Sequence, residues 1–136
     1  GLLPSAFFDP QEEPTEAVLI APAHSYLMQN RDVSHQFWLD IGSLGWWERL
    51  NQPLTNPYLI NRKWDGSQQW TIAHEYTANQ VSMLRIVQGL LYRCTRRIIA
   101  CSVSINEQGS EQRGPLLKAF QSLQKQVYLF RGEKDV

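Results

Sequence analysis

Residues 90–100 read Leu-Leu-Tyr-Arg-Cys-Thr-Arg-Arg-Ile-Ile-Ala, and this run concentrates more chemistry than any other stretch of the chain. A guanidinium is always charged and presents a planar fork of donors that matches phosphate oxygens. Arg96 follows the hydroxyl of Thr95 and is flanked by Arg93, Cys94 and Arg97, with Arg85 further back on the same amphipathic segment. The run lies where a long helix is expected to pass into an apolar strand. A junction of that kind holds the backbone on both sides, so an arginine placed there can be aimed at a phosphate.

The spelling resembles the closing motif of the UvrD/Rep/RecB class of superfamily-1 DNA helicases, a pattern close to LYVAxTRAxxxLxL. Leu90, Thr95, Arg96 and the apolar strand after them match, while Leu91 and Arg93 stand where the pattern has Tyr and Ala. Upstream, Pro22-Ala23-His24-Ser25 occupies the place of that family's His-containing motif, although Tyr26-Leu27-Met28-Gln29 replaces the Lys-Gly-Leu-Glu that follows in active helicases. The resemblance implies the C-terminal, second RecA-like portion of such an enzyme. It implies Arg96 as an arginine finger, with Thr95, Arg97 and Arg93 around nucleotide phosphate. ATP and Mg would be held mainly by another lobe, with no cofactor expected on this chain alone, and single- or double-stranded DNA would be the partner.

The elements that must position these residues follow from periodicity. Residues 1–15, with Pro4, Pro10, Pro14 and Glu12-Glu13, read as an irregular arm, and residues 16–136 as one α/β domain. Glu16 to Pro22 and Val33 to Ile41 read as strands, the second alternating His35, Phe37, Leu39 and Ile41 with Ser34, Gln36, Trp38 and Asp40. Thr71 to Cys94 reads as a helix with Ile72, Tyr76, Met83, Val87, Leu90, Leu91 and Cys94 on its stripe, Thr71 as N-cap and Glu75 at the positive end of the dipole. Ile98 to Ile105 reads as a central strand buried on both faces, and Pro115 to Leu129 as a closing helix whose stripe is Leu116, Leu117, Phe120, Leu123 and Val127. The order gives a small, mainly parallel sheet with flanking helices, like part of a RecA-like helicase domain.

Two further segments carry candidate contacts to nucleic acid. The stretch from Gly42 to Gly66 holds Trp46, Trp47 and Trp64 among prolines, and indoles are platforms on which any base can stack. The loop Asn106 to Gly114 leaves the expected central strand at its carboxyl end, where ligands bind in open α/β sheets, and offers Glu111, Gln112 and Arg113. With His24, the expected nucleic-acid contacts are therefore Trp46, Trp47, Gln112 and Arg113.

Composition sets the bounds. At 136 residues one domain is expected, and no GxxxxGK[ST] phosphate loop occurs, so the usual helicase ATPase chemistry needs a second lobe. The chain begins Gly1-Leu2-Leu3-Pro4 without Met, as a piece of a longer polypeptide would. Residues 1–60 carry seven acids against Arg31 and Arg49, and residues 61–136 carry six against eleven Lys and Arg, so the neutral total hides a basic second half suited to phosphate. Two cysteines, Cys94 and Cys101, give no disulfide framework, and their separation by seven residues across a helix end and a strand leaves room for a contact between them. His24, His35 and His74 are too scattered for a metal, and His74-Glu75 lacks the second histidine of HExxH because Ala78 stands there. No apolar run spans a membrane and the start lacks a signal-peptide pattern, which places the chain in the cytoplasm. Two functions stand: a helicase C-terminal domain supplying Arg96, or a degenerate helicase-like module that scaffolds nucleic acid or protein.

Overall fold

The computed structural model describes residues 16–48 and 65–134. Chain order is helix α1 (Ala23–Met28), strand β1 (Val33–Trp38), a single 3-10 turn (Leu44–Trp46), helix α2 (Ile72–Tyr92), strand β2 (Cys94–Ala100) and helix α3 (Pro115–Lys134). The two strands pair in parallel, so β1, α2 and β2 form one strand-helix-strand unit. This is a small α/β fold, with α2 laid on one face of the sheet.

The N-terminal boundary of α2 forms as its residues dictate. The Thr71 hydroxyl accepts from the backbone N–H of His74, and the Thr71 N–H donates to Nδ1 of His74 at 3.1 Å, closing a capping box. Glu75 in the first turn accepts from the Trp70 indole N–H at 2.8 Å, beside the positive end of the helix dipole. His74 and Glu75 thus shape a helix start.

The expected stripe of α2 holds at Met83, Val87 and Leu90 and is lost at its amino end. Ala78 and Leu90 are buried and Met83, Ile86 and Val87 pack on or beside the core, whereas Ile72 and Tyr76 are exposed. Length explains this: 21 residues of helix span about 31 Å, but strands of this size reach only about 20–23 Å, so one end of α2 outruns the sheet.

Three other expectations are corrected. Glu16 to Pro22 is not a strand; residues 17–22 have no regular structure, Val18 and Ile20 are exposed, and α1 begins directly after Pro22, whose carbonyl accepts from the N–H of Tyr26. An apolar run becomes a strand only against a neighbour that takes its hydrogen bonds, and none lies beside this one among the described residues. The strand expected at Ile98 to Ile105 begins earlier, at Cys94, and stops at Ala100. Its start is set by the Val33 N–H, which donates to the Arg93 carbonyl at 2.9 Å and opens the ladder immediately after the helix. Nor is β2 central and covered on both faces, since the sheet has two strands among the described residues.

The core is narrow. Tyr26, Trp38, Ile41, Leu90 and Leu116 form it, with Leu27, Trp46, Ile98, Ala100 and Phe120 packed against them. Trp38 meets Trp46 at a ring-centroid distance of 5.8 Å and Phe120 edge-on at 6.0 Å, which fastens the 3-10 turn and α3 to the sheet. Gln36 is buried between strand and helix; its amide donates to the Leu90 carbonyl and its oxygen accepts from the Trp38 indole. A buried carboxamide satisfied on both sides fixes register as well as proximity.

Candidate functional site

Arginine chemistry gathers at the amino end of β2. The register advances by one residue there: Val33 pairs with Cys94, but His35 pairs with Arg97, so Thr95 and Arg96 together oppose Ser34. This is a β-bulge, a feature that bends a strand and re-aims its side chains. The Thr95 hydroxyl donates to the Val33 carbonyl at 3.4 Å and the Cys94 thiol to the Arg97 carbonyl at 3.2 Å, which ties the bulge to its surroundings. Arg96 and Arg97 are exposed, and neither guanidinium has a hydrogen-bond or ion-pair partner among the described residues.

Arg93 is different. Its guanidinium donates to Asn30 Oδ1 at 2.8 Å and to the Gly89 carbonyl at 3.3 Å, while its Nε is buried without a partner. Asn30 ends α1 in the left-handed region, φ 52°, a conformation that asparagine tolerates better than most residues. Arg93 therefore clasps the ends of two helices, and a phosphate would have to compete with those bonds.

The loops at the carboxyl ends of the strands form a second cluster. Asp40, two residues past the end of β1, has φ 51°, and the Gly114 N–H donates to the Gly42 carbonyl at 2.9 Å where the loop leading into α3 crosses back. A Cβ on Gly114 would lie 2.5 Å from that carbonyl oxygen, so only glycine fits. Asp40 Oδ1 and Gln112 Oε1 are both buried here without hydrogen-bond partners among the described residues. Asn106 shapes the outer loop, accepting from the N–H groups of Gln108 and Ser110, and Gly109 supplies φ 75°. Arg113 pairs with Glu111 at 2.6 Å in open solvent, a bond that raises the guanidinium above its ordinary value.

Trp46 packs on Trp38 and donates its indole N–H to the Leu39 carbonyl at 3.1 Å; Trp47 is half-buried against Tyr76, ring centroids 4.9 Å apart. Trp64 lies outside the described residues. His24 is exposed on the first turn of α1. Cys94 and Cys101 fall at opposite ends of one extended segment, seven residue rises or roughly 23 Å apart. They do not touch, which corrects the expected contact. Two open grooves run along α3, one past Lys118, Ser122, Lys125 and Tyr128, the other past Leu123, Val127 and Phe130, and neither is lined by the Thr95-Arg96 run.

Thr95, Arg96 and Arg97 are thus brought together with their side chains outward, at the sheet end opposite Gln112 and Arg113. Sequence reasoning missed the bulge and the Arg93 clasp. No local signal marks the bulge, which is a property of pairing. Asn30 three residues before a strand was the one trace of the clasp.

Fold and site together define a small α/β protein built on one parallel strand-helix-strand unit, with an arginine-bearing bulge. No family model matches the chain, and comparisons with curated proteins and with solved structures give no significant match. No helix among the described residues is long and apolar enough to cross a membrane, and no group of three or more His, Cys, Asp or Glu among them is placed to hold a metal ion.

Proposed function

We propose that this chain is the C-terminal, RecA-like portion of a cytoplasmic superfamily-1 type DNA helicase, contributing Arg96 to ATP chemistry on another lobe. The observation that carries the reading is the placement of Thr95 and Arg96 in a β-bulge directly after α2, with the Arg96 guanidinium exposed and unpaired among the described residues. An arginine held by rigid backbone and projecting into solvent is suited to meet a phosphoryl group carried by a separate body and to stabilise charge that develops in transfer. Thr95 and Arg97 border it, Arg93 stiffens its base, and Mg with ATP belongs to the other lobe. DNA is the partner that couples to turnover.

The test is DNA-stimulated ATP hydrolysis by the full-length polypeptide against Arg96→Ala. The expected result is a loss of turnover on the order of a thousand-fold with nucleotide binding retained. An unchanged rate, or no hydrolysis by the parent polypeptide, overturns the reading.

A second reading is favoured by exposed apolar surface. Exposed Leu123, Val127 and Phe130 recur at heptad spacing along α3, continuing the line of buried Leu116 and of Phe120 past the core. Such a stripe suits a non-catalytic, helicase-like module that scaffolds a protein. Retained ATPase in Arg96→Ala would put this reading first.

A further inference from the structure

Among the described residues, the sheet has one face under α2 and one without a helix. Gln36 and Trp38 of β1 and Ile98 and Ala100 of β2, paired Gln36 to Ile98 and Trp38 to Ala100, belong to the covered face. Alternation places His35 and Phe37 on the other, beside Arg97 and Ile99, with His35 paired to Arg97 and Phe37 to Ile99 and Leu39 just past the strand end. Phe37 is 63% exposed and Leu39 62%, and His35 and Arg97 are exposed.

Parallel sheets are normally covered on both faces by helices, and strands so covered read as unbroken apolar runs. This face breaks that pattern at its amino end. A covering helix would have to desolvate Arg97 and the His35 ring side by side, and none of the face's residues His35, Phe37, Leu39, Arg97 or Ile99 offers a carboxylate in compensation. The same composition suits a polyanion with flat bases. His35 and Phe37 stand roughly 6.6 Å apart along one strand, two π-faces on one side, with the Arg97 cation across from the first and Arg96 next to it in the bulge. Sheet faces bearing aromatics are an established way to stack unpaired bases.

We infer that the uncovered face of the β1-β2 sheet binds single-stranded nucleic acid, with bases stacked on Phe37 and His35 and the backbone held by Arg97 and Arg96. This rests on the reading above only for the class of partner. It moves the stacking platform from Trp46 and Trp47, whose rings are engaged in packing, to residues that are free to stack.

The experiment is fluorescence anisotropy of a labelled oligothymidylate with the full chain, without nucleotide, at low and moderate salt. The expected result is binding that weakens steeply with salt and falls roughly five- to a hundred-fold in Phe37→Ala. Phe37→Leu separates stacking from mere apolar contact: loss of binding in this variant too supports stacking. Arg97→Ala lowers affinity and flattens the salt dependence. Circular dichroism of each variant establishes that the fold is kept. Absence of binding by the native chain overturns the inference, as does native-like affinity in both Phe37 variants, which would leave the face to a covering helix. Because no ATP is present, failure here leaves the role of Arg96 in hydrolysis standing, and failure of the hydrolysis test leaves this binding face standing.

Discussion

The side-chain amide of Gln36 donates to the backbone carbonyl of Leu90 at 3.0 Å, joining the middle of β1 to the last turn of α2 across 54 residues of chain. Its oxygen accepts from the Trp38 indole at 2.8 Å, so one buried carboxamide links helix, strand and the aromatic core. Gln36→Leu keeps the volume but strands the buried Trp38 N–H. The expected cost is about 1–3 kcal/mol, read as a lower urea midpoint with an unchanged slope. An unshifted midpoint would mean that the carboxamide only fills space.

Arg93 and Arg96 separate structure from chemistry. Arg93→Ala removes the bonds to Asn30 and the Gly89 carbonyl and is expected to destabilise by about 1–3 kcal/mol. Arg96→Ala is expected to stay within about 0.5 kcal/mol of the native chain, since its side chain is exposed. Thermal melts of the two variants check the contrast, and equal losses would contradict it.

Gly114 is fixed by contact. An added methyl would meet the Gly42 carbonyl oxygen at 2.5 Å, and the backbone on both sides is tied by the Gly114 to Gly42 hydrogen bond. Gly114→Ala is expected to cost at least about 2 kcal/mol or to abolish the cooperative transition. At Gly66, where an added Cβ meets nothing within 4 Å, alanine is expected to be tolerated, which makes it the control.

Thr71→Ala tests the capping box. Loss of the hydroxyl leaves the His74 N–H without its acceptor, at an expected cost of about 1 kcal/mol. Amide exchange checks it: faster exchange confined to the first turn of α2 is the expected signature, and exchange raised throughout the helix would point to a global effect.

Asp65 titrates low because the Ser67 backbone N–H donates to its carboxylate at 3.0 Å, helped by the Ser67 side chain. A folded value below the unfolded one means that the turn's contribution is present above the ordinary carboxylate value, near 3.9, and is lost as pH falls through the lowered one. The group is fully exposed, so its effect on global stability is expected to be slight. Carbon-13 titration of Asp65 is the direct measurement. Ser67→Ala is expected to return part of the shift and Ser67→Pro, which lacks the N–H, most of it.

What the residues determined by themselves is local. The Thr71 cap, the first-turn Glu75 and the entry of α3 at Pro115 rest on interactions within a few positions of chain, and these are legible as type and spacing. The tertiary structure decided whatever depends on a distant neighbour. Val18 to Ile20 has the composition of a strand but no partner strand among the described residues; Ile72 and Tyr76 have the spacing of a core stripe but lie where the sheet does not reach. Trp46 has the composition of a stacking platform and became part of the core because Trp38 was there to meet it. The bulge at Thr95 and Arg96 exists only as a mismatch between two strands, and Phe37 is exposed because α2 took the other face of the sheet. Pairing and burial are properties of two segments at once, so no single segment spells them.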